Sequence, residues 1–289
     1  MAKELKLLQK YPTEFSARYD IFRKCEMFFP KDEQLRSFRE TFSNLKIEKN
    51  SCRVLAVGPY DGAVDIPIID ALDSKQSRTE YIVVEPAAHE LKKFESMVAS
   101  KQEQGDWRKV DFEFHAKTIE AYLQETKTAK DKNDFDIIHT IRCAYCFTDP
   151  GSVFVDLYER LEKGGLLFNT ISTGHLEKIL KKADEVNPGS RRCVGVSNLR
   201  KVLQQKLPGI DINTTYRKSS LLVDECFKEE SRDENLLLDF LVQTIDFRQN
   251  ASEEVFNDFM TFMKEECCYE MEGKLLMRMD EEDFLIFKK

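Results

Sequence analysis

Residues 53–57, RVLAV, form an apolar run that stops at Gly58, and residues 64–72, VDIPIIDAL, follow with Val64, Ile68 and Leu72 on one side of a helical wheel. A short apolar run closed by glycine reads as a buried strand, and the spacing after it reads as the inner face of a helix. Working outward, the alternation repeats. Strands are predicted at 80–84 (EYIVV), 110–114 (VDFEF) and 135–141 (FDIIHTI), with helices over 87–99 and 119–125. Pro150 opens a further helix, since its missing N–H costs nothing in a first turn. Gly164 and Gly165 are expected to end that helix and lead into the strand LLFNT at 166–170. A strand–helix alternation from 53 to 170 predicts an α/β fold with a doubly wound, mostly parallel, Rossmann-like sheet.

The rest of the chain is less regular. Helices are expected over 176–184, in a Ser197-capped segment SNLRKVLQQ, and over 234–245 and 252–265, with strands within 210–226. The closing strands KLLMRM (274–279) and DFLIF (283–287) read as an antiparallel C-terminal hairpin. The charge run KTAKDKND (127–134) reads as a solvated loop.

In a doubly wound sheet a ligand sits beyond the carboxyl ends of the strands, and the first strand-to-helix turn is its cradle. Here that turn is Gly58-Pro59-Tyr60-Asp61-Gly62. Its glycines allow positive φ and a close backbone approach, and the helix after it is expected to favour an anionic group. Glu85 ends the second strand in IVVEP, where a carboxylate can accept from two ribose hydroxyls. The pair suits both NAD and S-adenosyl-L-methionine, and the bland alternative is a tight turn followed by an acidic cap. A dinucleotide needs G-x-G-x-x-G to seat its pyrophosphate, which this turn lacks. Tyr60 stands where the looser methyltransferase pattern has its middle glycine, placed to line or crowd the methionine end.

Several separated segments carry a resemblance. VLAVGPYDGAVDI (54–66), IVVEPAAHELKKF (82–94), FDIIHTIRCAYCF (135–147), LLLDFLVQT (236–244), EGKLLM (272–277) and the closing DFLIF together resemble the histamine N-methyltransferases from about Tyr11 onward. That family implies a class I methyltransferase fold, a small substrate-capping region, S-adenosyl-L-methionine as cofactor and a small amine as methyl acceptor. It also implies cofactor contacts from Gly58, Glu85, Glu90, Ile119 and Ile141, with His115, Thr118 and Tyr60 nearby. Glu90 stands in place of a glutamine and Ile119 in place of a serine. On the acceptor side Arg142 replaces a glutamine, Tyr145 and Cys146 replace two tyrosines, and Phe240 matches. Two tryptophans are lost between His175 and Leu180, an asparagine aligns with Met279 or Asp280, and an N-terminal glutamate is placed at Glu33. The domain expectation is a single unit: a helical cap over 1–50, a cofactor core over 51–172, and substrate-side helices and closing strands over 173–289.

Methyl transfer is an in-line displacement that requires alignment and a dry pocket. Glu33 or Asp280 is expected to anchor an ammonium or take up a proton, and Tyr19, Phe22, Phe28, Phe29, Tyr145 and Phe240 to offer π faces. For each aromatic taken singly, core packing is the simpler reading. Arg142 suits either a substrate carboxylate, which would make the acceptor an amino acid, or an acid of the protein itself. A non-catalytic binding protein is the remaining alternative, favoured by Tyr60 and the lost tryptophans.

Composition bounds these readings. The 289 residues are 42% hydrophobic with a net charge of -8, enough for a large core and contrary to the basic stripe a nucleic-acid binder uses. No apolar block suits a leader or membrane span, and eight scattered cysteines argue for reduced thiols, so a cytoplasmic protein is expected, with a monomer as one option and the oligomeric state left open. Cys143-x-x-Cys146 has no second pair to complete a zinc site, and no metal is expected.

Overall fold

The computed structural model describes residues 4–29, 32–47, 49–127, 135–189, 196–228 and 232–289. The charge run after Lys127 lies outside the described residues. The chain divides into two compact units, one of Met1–Lys31, Ser172–Gly195 and Tyr216–Glu281, the other of Asp32–Ile171, Val196–Thr215 and Glu282–Lys289.

The second unit holds the alternation read from the sequence. In chain order it contains β1 (Ser51–Val57), α1 (Ile66–Lys75), β2 (Arg78–Val84), α2 (Ala88–Glu103), β3 (Val110–His115), α3 (Ile119–Glu125), β4 (Phe135–Ile141), α4 (Pro150–Glu159) and β5 (Leu161–Ser172). The strands lie in the order β5-β4-β1-β2-β3, all parallel. The order therefore reverses at β1, between β2 on one side and β4 on the other, which is where such sheets bind ligands. Both faces of the sheet are covered, as long apolar runs in parallel strands require. Val54, Tyr81, Ile137 and Phe168 are packed under Phe38 and Phe42 of the helix Glu33–Asn44, Ile68 and Leu72 of α1 and Phe94 of α2.

Two expectations are corrected here. The helix after Pro150 ends at Glu159, and Gly164 and Gly165 lie inside β5. Glycine is needed at 165 because a Cβ there would lie 2.9 Å from the Phe135 carbonyl oxygen. The closing strands also fail to pair with one another. Glu281–Phe287 runs beside β5, where Lys288 N–H donates to the Gly165 carbonyl and accepts from Gly164 N–H through its own. Lys274–Arg278 instead forms its hairpin with Cys268–Met271.

The first unit is helical around a short antiparallel sheet. Residues 218–222 pair on one side with Glu26–Phe29 and on the other with Lys274–Arg278. The helices Pro12–Cys25, His175–Val186 and Arg232–Val242 bury Phe22, Ile179, Leu237 and Leu241. Arg18 is buried in this core and paired with Asp239, whose carboxylate also accepts from the N–H groups of Asp246 and Phe247. Four N–H donors on one buried carboxylate, two of them from Arg18, meet the requirement that an interior charge be both paired and hydrogen-bonded. Val196–Lys206 forms a helix that already includes Ser197, one residue inside its start.

Candidate functional site

The turn after β1 is left-handed at three residues, with φ of 63° at Gly58, 60° at Tyr60 and 76° at Gly62. Glycine adopts this conformation freely, whereas Tyr60 carries the steric cost of a Cβ there. The neighbours show why the glycines are needed. A Cβ on Gly58 would come within 2.7 Å of Cys143 Cβ, and one on Gly62 within 2.4 Å of the Phe94 ring. Cys143 closes on the turn from the end of β4, its thiol donating to the Val57 carbonyl at 3.1 Å. Burial pushes that thiol well above its ordinary pKa, so it is a packed, protonated group rather than a nucleophile.

Glu85 follows β2 and is 5% exposed. One carboxylate oxygen accepts from Tyr60 N–H at 3.0 Å and the other from Ala87 N–H at 2.8 Å. Burial raises its pKa, the two N–H groups hold it down, and the charge of Glu90 adds to the rise. Each oxygen keeps lone-pair capacity for a further donor. Glu90 is fully buried at the start of α2, with His89 and Lys93 within 2.9 Å of its carboxylate. The ends of β2 and β3 are tied by Glu85 N–H donating to the His115 carbonyl. Thr118 caps α3, and Ile119 behind it and Ile141 at the end of β4 are buried apolar groups. Tyr60 and Glu85 are thus in direct contact, Gly58 is tied to Val84 at the end of β2, and Glu90, Thr118, Ile119 and Ile141 stand on the strand ends and helix starts of the same unit. The helix end expected to welcome an anion already carries a buried carboxylate, Asp65.

The expected acceptor residues divide between the units. Arg142, Tyr145 and Cys146 follow β4, with Arg142 left-handed at φ 54° and its N–H on the Thr170 carbonyl. Tyr145 is buried and Cys146 exposed. Glu33 lies in the same unit at the start of its helix, engaged with Arg36. Tyr19, Phe22 and Phe240 belong to the first unit, where they form one ring cluster with centroids 4.6 to 6.0 Å apart. Asp280 is also there, with one oxygen accepting from Ser219 N–H and the other from the Tyr216 hydroxyl. Its carboxylate is therefore already engaged by the protein. Glu26 directly follows the helix bearing Tyr19 and Phe22 and has a buried carboxylate oxygen. Among the described residues no group of three or more His, Cys, Asp or Glu could hold a metal, and no helix is long and apolar enough to cross a membrane.

Comparison with known proteins adds to this geometry. No family model matches the chain. It is similar to the histamine N-methyltransferase of Danio rerio, 24% identical over 284 residues that cover 93% of this chain and 94% of the relative. The Xenopus tropicalis histamine N-methyltransferase is 24% identical over 246 residues, covering 83% and 82%. The chain is an S-adenosylmethionine-dependent methyltransferase. Its fold is that of class I enzymes: the Bacillus YcgJ structure superposes with a TM-score of 0.56 at 13% identity, covering 88% of this chain and 99% of that one. A Haemonchus contortus phosphoethanolamine N-methyltransferase in complex with S-adenosyl-L-methionine gives 0.51 at 14% identity, covering 97% and 58%.

The cofactor fits the donor set of this methyltransferase. Glu85 has acceptor capacity for the ribose hydroxyls, Ile119 and Ile141 are apolar groups suited to the adenine, and the glycine turn permits close backbone approach. Glu90 brings a second buried carboxylate near Glu85, paired with Lys93 and within 2.9 Å of His89.

Proposed function

We propose that this methyltransferase transfers its methyl group to a nitrogen of a small amine, histamine or a close relative, in the cytosol. The observation that carries the reading is the Glu85 carboxylate, fixed at the end of β2 by Tyr60 and Ala87 N–H beside the left-handed turn. The names of the full-length relatives and the ring cluster of Tyr19, Phe22 and Phe240 support a small cationic acceptor. S-adenosylmethionine supplies an electrophilic methyl on a sulfonium. Glu85 binds and orients the ribose, while Ile119, Ile141 and Tyr145 exclude water from the strand ends. The attacking nitrogen must hold a lone pair, so an ammonium is inert and an imidazole or neutral amine reacts. A carboxylate is suited to take up the proton released by the product or to hold a distal ammonium, a role for which Glu26 and Glu33 are the candidates.

A second reading rests on Arg142. The left-handed backbone fixes where this guanidinium leaves β4, and Tyr145 follows within three residues. Arg142 in that position favours an acceptor with a carboxylate, held bidentately. An acceptor panel of histamine, other small amines and amino acids, run on the wild type and on Arg142→Gln, separates the two. Methylated histamine with little change in the variant supports the first reading. Methylation confined to carboxylated amines and lost in the variant supports the second.

A further inference from the structure

Asp65 closes the cofactor turn and immediately precedes α1, the position where an aspartate ordinarily caps the helix by accepting its free N–H groups. Here it makes no such cap. The carboxylate is fully buried and turned into the sheet, where the Tyr81 hydroxyl of β2 donates to it at 2.7 Å. His139 Nε2 of β4 lies 2.9 Å from the same hydroxyl and 3.3 Å from the carboxylate. Tyr81 and His139 stand on the two strands that flank β1. Because Tyr81 has one proton and gives it to Asp65, His139 must present Nε2–H to the tyrosine oxygen. Its Nδ1 has no hydrogen-bond partner. Burial and the neighbouring carboxylate raise the Tyr81 pKa far above its usual value, which keeps this proton in place.

A buried carboxylate that forgoes its cap and leaves Oδ2 without a hydrogen bond is a costly use of an aspartate. The gain lies in what it connects. The turn before it is left-handed at Gly58, Tyr60 and Gly62, and at Tyr60 such a conformation persists only where the surroundings over-determine it. Gly58 N–H fastens the near end to the Val84 carbonyl, and Glu85 holds the middle through Tyr60 N–H. Asp65 fastens the far end to β2 through the Tyr81 hydroxyl, which in turn meets His139 of β4. We propose that Asp65, Tyr81 and His139 are positioning residues that hold the cofactor turn in its binding geometry, so that the cofactor meets a preformed cradle. This rests on the cofactor reading of the turn.

The test uses the full chain and compares Tyr81→Phe with Trp107→Phe. The second variant removes a comparable bond, Trp107 Nε1–H to Asp70, which anchors the same helix away from the turn. Calorimetric binding of S-adenosylmethionine, measured well below the melting temperature, should weaken about tenfold or more in Tyr81→Phe and stay within about twofold of wild type in Trp107→Phe. KM for S-adenosylmethionine should rise while KM for the methyl acceptor stays put. Asp65→Asn, which keeps an acceptor for Tyr81, should bind far better than Asp65→Leu. Wild-type cofactor affinity in Tyr81→Phe, or equal losses in both phenylalanine variants, would overturn the proposal. Failure of the wild type itself to bind S-adenosylmethionine would instead overturn the reading on which it rests.

Discussion

Tyr60 offers a measurement of backbone strain inside a functional turn. At φ 60° a residue with a Cβ sits in the left-handed region, at a cost of roughly 1–2 kcal/mol relative to the right-handed form. Glycine escapes that cost but loses about 0.5–1 kcal/mol through the greater freedom of the unfolded chain. The half-buried ring complicates a direct comparison with wild type, so the informative pair is Tyr60→Ala and Tyr60→Gly, which share the loss of the ring. The two ranges differ by about 0–1.5 kcal/mol, and their centres predict the glycine variant to be more stable by about 0.75 kcal/mol. At a right-handed position the same exchange would carry the opposite sign. Urea unfolding of both variants, with equal m-values, reads the difference as a shift in midpoint. Repeating the titration with S-adenosylmethionine should preserve the ordering and raise both midpoints, because the turn retains its Tyr60 N–H to Glu85 bond whichever side chain is present. A glycine variant less stable than the alanine variant would refute the strain assigned to this residue.

Glu85 makes cofactor binding pH-dependent. Its folded pKa lies above the ordinary 4.5, so between those values the native state holds more protons than the unfolded chain, and the stability of the free protein falls as pH rises through that window. Ribose hydroxyls donate best to the ionised carboxylate, so the S-adenosylmethionine Kd should decrease as pH rises across the same window, with proton release detectable by calorimetry in two buffers. Tighter binding on acidification would contradict this. Gly62→Ala would drive a Cβ to 2.4 Å from the Phe94 ring at φ 76°, and strain and overpacking together should cost about 3 kcal/mol in urea unfolding, partly recovered by Phe94→Leu. Arg18→Met leaves Asp239 buried without its guanidinium and should cost about 3–5 kcal/mol, with Asp239→Asn in the same chain recovering part of it. A loss under about 1 kcal/mol would show that the backbone donors alone suffice.

The sheet was legible because each strand of the second unit is a short apolar run bounded by glycine or acidic turns, and the reversal at β1 follows from the alternation. Long-range pairing was not legible. Nothing local in KLLMRM or DFLIF tells that the first pairs with Cys268–Met271 and the second with β5. Gly164 and Gly165 looked like a helix stop, and only the approach of the Phe135 carbonyl shows that 165 needs glycine inside a strand. The left-handed turn at Gly58 and the strand-end place of Glu85 could be read from spacing, since both are local features. Asp65 could not, because a residue placed to cap a helix instead serves Tyr81 and His139 across the sheet. Asp280 was legible as an acid but not as an engaged one, because Tyr216 lies 64 residues away.

The central claim is most directly tested by incubating the protein with methyl-deuterated S-adenosylmethionine and histamine and following both products by mass spectrometry. The account predicts deuteromethylated histamine, or another small amine in its place, formed in equal amount with S-adenosylhomocysteine and lost in Glu85→Ala. A protein that neither binds the cofactor nor releases S-adenosylhomocysteine with any nitrogen acceptor would contradict it.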